Sequence, residues 1–126
     1  MKKENREFRK HPRYTKILQV ECTVSRFPDD LMGDKAKLKE GETFRATTIN
    51  VSQTGMLINY DFLLPERTQL DVTVSEESIS KKPMHFKTRI AWTKRNAYKI
   101  FGRFAAGLHI EEGEKKDIDK LVEHFN

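Results

Sequence analysis

Met84-His85-Phe86-Lys87-Thr88-Arg89-Ile90-Ala91-Trp92 is the stretch from which the fold can be read. Met84, Phe86, Thr88, Ile90 and Trp92 alternate with His85, Lys87, Arg89 and Ala91, the period of a strand with one dry and one wet face. The pattern recurs on both sides. Within Ile17–Phe27, Leu18, Val20, Cys22 and Val24 oppose Gln19, Glu21, Thr23 and Ser25. Phe44–Val51 is rich in β-branched residues, and Gly55–Asp61 places Met56, Ile58 and Tyr60 on one side. Leu70, Val72 and Val74 alternate with Asp71, Thr73 and Ser75, and Phe104, Ala106, Leu108 and Ile110 repeat the rhythm. One-sided strands separated by turn signals imply an all-β antiparallel sheet or barrel. In this phase Phe44, Tyr60, Phe86 and Trp92 mostly fall on the core side.

Only the C-terminal end changes period. Ile118, Leu121, Val122 and Phe125 recur at helical spacing after Gly113 and an acidic first turn, which predicts an amphipathic helix over one mouth of a barrel. The polar, breaker-rich stretch 28–42 reads as an exposed loop, as do Glu76–Pro83 and Lys94–Lys99. No internal repeat and no dividing linker appear, so 126 residues form one domain.

The charge is unevenly spread. Residues 1–16 hold seven cations (Lys2, Lys3, Arg6, Arg9, Lys10, Arg13, Lys16) against Glu4 and Glu7, whereas the remaining 110 residues hold seventeen of each sign. The net +5 is therefore a basic arm, 1–16, on a neutral body, 17–126. Such an arm is expected to stay unstructured until it meets an anion. No apolar run suits a signal peptide or a membrane span, and the single Cys22 excludes an internal disulfide; a cytoplasmic protein without membrane insertion is expected.

Catalytic spacing is missing. His11, His85, His109 and His124 form no HxH or HxxxH pair, and one cysteine cannot build a zinc site, so neither a metal nor a cofactor is expected. Cys22 keeps phase with Val20 and Val24, as a buried small hydrophobe does. His85 and His109 fall on wet faces. Asp29–Asp30 and Glu76–Glu77 sit in loops, and no GxSxG, GxxxxGK[ST] or GxGxxG occurs. The composition describes a binder rather than an enzyme.

Two short patterns remain. Arg9-Lys10-His11-Pro12-Arg13 is an RxxxR, of which chance alone supplies roughly 0.6 in a chain with this many arginines. Asn50-Val51-Ser52-Gln53-Thr54-Gly55 is a [D/N]xSxxG, expected by chance only roughly 0.02 times. Pro12 disfavours helix at His11, so Arg9 and Arg13 belong to a bent, extended loop able to close on an anion from two sides. Asn50 and Ser52 offer donors and acceptors at a strand–turn–strand corner, where Gly55 either takes a positive φ or admits close backbone approach.

In this order, the two patterns resemble the PilZ domain. The likeness continues through Ile90-Ala91-Trp92, a strand ending in tryptophan, through Ala106-Gly107-Leu108-His109-Ile110, and into the terminal helix. The resemblance implies a six-stranded antiparallel β-barrel with a C-terminal α-helix that binds cyclic di-GMP, the bacterial second messenger. It assigns the ligand to Arg9, Arg13, Asn50, Ser52 and Gly55, with Arg6, Phe8 and Lys10 as possible further contacts. Guanine O6 and N7 suit arginine, and two phosphates suit a basic arm.

The expected function is a cyclic di-GMP receptor whose arm changes conformation on binding and signals to a protein partner. One alternative is a PilZ-like interaction module without nucleotide; another is a small nucleic-acid-binding barrel, disfavoured because the aromatics fall in core phase. Relatives with a second arginine directly before the motif tend to take two stacked ligands. Phe8 stands there instead, so one ligand per chain is expected.

Overall fold

The computed structural model describes residues 16–28, 38–96 and 101–126. The elements are β1 (Leu18–Arg26), β2 (Thr43–Val51), β3 (Gly55–Tyr60), β4 (Gln69–Val74), β5 (Met84–Arg95), β6 (Phe104–Glu112) and α1 (Lys115–Phe125). All strand pairs are antiparallel, and the order β1-β2-β3-β6-β5-β4 closes on itself. Closure removes the unpaired edges that an open sheet of this size would expose. The all-β expectation and the terminal helix both stand.

The core is the set of inward residues that the alternation marked. Val24, Ile58, Leu70, Val72 and Ile90 are fully buried, and Phe44, Tyr60 and Phe86 join them. Phe44 packs against Tyr60 and Phe62, with ring centroids 5.8 Å apart in each pair. Cys22 is also fully buried. Burial, and then the neighbouring Glu21 charge, pushes its thiol up to about 12, so it behaves as a hydrophobe. The tyrosine hydroxyl of Tyr60 is satisfied by Thr93 Oγ1 at 3.1 Å.

Helix α1 inserts Leu121 into this core, with Ile118, Val122 and Phe125 packed around it. A side-chain bond from Gln53 Nε2 to Asp119 Oδ1 (3.0 Å) ties it to the β2–β3 turn. That bond, followed by one from Lys115, holds the Asp119 carboxyl below the usual carboxylate range.

Two irregularities decide where the site lies. On β2 the register steps from Thr48↔Ile58 to Asn50↔Leu57, so Ile49 is an extra residue. On β5 it steps from Ile90↔Leu108 to Trp92↔Gly107, so Ala91 is extra. Each bulge inverts the phase of everything after it. Val51 and Thr93 therefore turn toward the core side, and Asn50, Trp92 and Lys94 turn out.

This corrects the placement of Trp92, which strict alternation put in the core: its side chain is 40% exposed. It also corrects the end of that strand. β5 runs on to Arg95 rather than giving way to a loop at Lys94.

The register also sorts the loops between the two ends of the barrel. Leu18, the first residue of β1, pairs with Thr48, just before the β2–β3 turn. The start of β1, that turn, the β4–β5 loop and α1 therefore share one end.

Candidate functional site

A shallow trough of about 290 Å³ lies on the outer wall beside this end, lined by Asn50, Ser52, Gly55, Leu57, Trp92, Gly107 and His109 among others. Its floor is one cross-strand row. Asn50 pairs with Leu57, Leu57 with Gly107, and Gly107 with Trp92. Three interstrand steps of about 4.8 Å set the polar Asn50 and the flat Trp92 roughly 14 Å apart. The next row continues from Gly55 to His109 to Arg89. The two bulges are thus what bring Asn50 and Trp92 onto the same surface.

The Asn50–Gly55 corner is held by its own hydrogen bonds. Ser52 N–H donates to the Gly55 carbonyl at 2.8 Å, and Ser52 Oγ accepts from Gly55 N–H at 3.2 Å. Thr48 Oγ1, donating to Leu57 O (2.8 Å) and lying 3.3 Å from Asn50 O, braces the bulge. The Thr54 carbonyl accepts from Ile110 N–H at 2.8 Å, pinning the turn to β6. The Asn50 side chain is exposed and makes no hydrogen bond with the described residues, so its amide is free for a ligand.

Gly55 is needed here, though not for a positive φ: among the described residues the glycines in that region are Gly41 and Gly102. A Cβ at Gly55 would collide with the Leu108 carbonyl across the ladder. Close strand approach is the reason for glycine at this corner. Gly107 plays the matching part on the far side, because a Cβ there would run into the indole of Trp92.

The charges around the trough are mostly positive. Arg89 is exposed and pairs with Glu111 at 3.5 Å, and the Lys94 ammonium lies 5.5 Å from the Trp92 ring centroid. A larger depression, about 430 Å³, opens elsewhere between Asp71, Thr73, His85, Lys87, Glu112 and Glu114. Its three carboxylates suit an anionic ligand poorly, and it contains no residue of either motif. The smaller trough is the better candidate.

Of the residues singled out in the sequence, Asn50, Ser52 and Gly55 are brought together. Arg6, Phe8, Arg9, Lys10 and Arg13, and with them the basic arm apart from Lys16, lie outside the described residues. Trp92, Gly107 and His109 are site-lining residues that the reading of motifs did not select. The clue to Trp92 was available: strict alternation past Ile90 would bury Lys94, so a phase change was required. Among the described residues, no three His, Cys, Asp or Glu side chains are placed to hold a metal, and no helix is long and apolar enough to cross a membrane.

Searches of curated proteins and of solved structures find no match to this chain. The family pattern described as the PilZ domain matches residues 7–126, which takes in RxxxR, the Asn50–Gly55 corner, all six strands and the helix. PilZ domains are in general cyclic di-GMP-binding modules, not enzymes. Barrel, corner motif and family pattern agree, and the chain belongs to the PilZ domain family.

Proposed function

We propose that this protein is a cyclic di-GMP receptor of the bacterial cytoplasm, in which Arg9 and Arg13 close over a ligand seated in the Asn50–Trp92 trough. The observation that carries the proposal is the row itself. It offers an amide at Asn50 and, three strands away, the Trp92 indole seated on Gly107, spanning about the width of a purine-bearing ligand. A guanine stacked on Trp92 gains about 1–3 kcal/mol, and the Asn50 amide and Ser52 hydroxyl can bond polar edges or phosphate oxygens.

The arm is in reach. Arg13 precedes Leu18 by five residues, a covalent span of at most about 18 Å. Leu18 pairs with Thr48, only two residues before Asn50. Two guanidinium forks would supply the charge and the planar donors that two phosphodiesters and a guanine Hoogsteen edge require. Arg6, Phe8 and Lys10 extend the same contact surface.

A ligand that touches both arm and barrel fixes one relative to the other, and that differential contact is what a switch needs. The ordered arm then presents a new surface to a protein partner. Calorimetry with cyclic di-GMP, GTP and cyclic GMP in parallel tests the reading. Tight binding of cyclic di-GMP alone is expected. No heat with cyclic di-GMP would leave an interaction module that does not use nucleotide.

A further inference from the structure

The Lys94 ammonium sits over the one tryptophan in the chain, 5.5 Å from its ring centroid. The Nε1–Cε2–Cζ2 edge of that indole lies against Gly107, where even a Cβ would collide. The exposed ammonium stands over the ring, where a planar ligand would stack. Among the described residues Lys94 makes no ion pair. Its contact with the ring quadrupole is weak and exposed.

We infer that Lys94 is a displaceable cover on the binding face: it occupies the Trp92 ring in the empty protein and transfers to a ligand phosphate when a purine takes its place. The bulge at Ala91 makes this possible, because it turns both Trp92 and Lys94 outward on the same strand two residues apart. A lysine stem spans about 6 Å, enough for the ammonium to leave the ring and still reach an anion beside it. The exchange raises selectivity. A neutral aromatic must displace the cation without recompense, whereas a nucleotide brings the phosphate that receives it. The transfer step rests on the messenger reading above; the cover in the empty protein does not.

The test uses the full-length protein and the fluorescence of its single tryptophan. Without ligand, the ratio of iodide to caesium quenching of Trp92 should exceed that of free N-acetyltryptophanamide by at least about twofold, and Lys94→Met should lower that ratio markedly while Lys94→Arg keeps it. A ratio in the unmodified protein no higher than that of free N-acetyltryptophanamide, or unchanged in Lys94→Met, overturns the cover. With cyclic di-GMP added, Lys94→Met should weaken binding about three- to tenfold and flatten its salt dependence, with Lys94→Arg near the parent. Unchanged affinity and salt dependence in Lys94→Met overturn the transfer. If cyclic di-GMP alters the fluorescence of neither protein, the messenger reading and the transfer fall together, while the quencher result still decides the cover.

Discussion

The indole of Trp92 rests on the bare Cα of Gly107, its register partner on β6, with no room for a methyl group between them. A large aromatic is thereby held against the outer wall of the barrel. Gly107→Ala should tilt or expel the ring. Cyclic di-GMP affinity is expected to fall about tenfold, with a red shift of Trp92 emission and only a small change in melting temperature. A melting temperature lowered by many degrees with affinity intact would mean that Gly107 serves the fold and not the trough.

Arg9→Ala and Arg13→Ala should each weaken cyclic di-GMP binding by about 2 kcal/mol or more, since each removes a charge-assisted, fork-like contact. Lys2→Ala and Lys3→Ala should cost far less. Equal losses from all four, measured by calorimetry at one salt concentration, would reduce the arm to a nonspecific electrostatic tether.

The β2–β3 corner separates two kinds of damage. Ser52→Ala removes the Oγ that accepts from Gly55 N–H, costing about 1 kcal/mol of stability, and also a ligand contact. Gly55→Val drives side-chain atoms into the Leu108 carbonyl and should cost about 2 kcal/mol or more. Thermal melts without ligand check the ranking. Equal, large drops would make the corner purely structural.

One ligand per chain is expected from Phe8, where a second arginine would otherwise supply charge for a stacked pair. Phe8→Arg should push the calorimetric ratio toward two. A ratio near two for the unmodified protein contradicts the assignment.

Cys22 gives a pH signature. Burial holds the folded thiol protonated up to about 12 against an ordinary value of 9.0, so the unfolded chain loses its proton first. Between those values the folded state binds more protons, and stability falls as pH rises, by up to about 1.4 kcal/mol per pH unit. Below pH 9 the contribution is fully present. Denaturant melts from pH 8 to 11 should show this slope in the parent and a shallower one in Cys22→Ala. A thiol reagent at pH 8 should leave the folded protein unmodified.

The strands were legible because a barrel this small must bury one face of each, and Leu18 to Val24, Leu70 to Val74 and Met84 to Ile90 alternate without a break. The helix was legible for the same reason at another period, with Leu121 on its buried stripe. The corner motif was legible as well, since Asn50, Ser52 and Gly55 are neighbours along the chain and their spacing is chemistry in itself. Local pattern by itself determined the fold class and one half of the candidate site.

The other half belongs to pairing between distant strands. Trp92 and Asn50 face the same trough only because Ile49 and Ala91 are each left over when β2 meets β3 and β5 meets β6. Whether a strand carries such an extra residue depends on which partner register buries more apolar surface and leaves fewer polar groups inside. Here the alternative would bury Asn50 and Lys94 and expose Val51, a cost the bulges remove. Likewise, nothing within Gly55 or Gly107 says why each must be glycine. The reason is the Leu108 carbonyl in one case and the Trp92 indole in the other, both supplied from across the sheet.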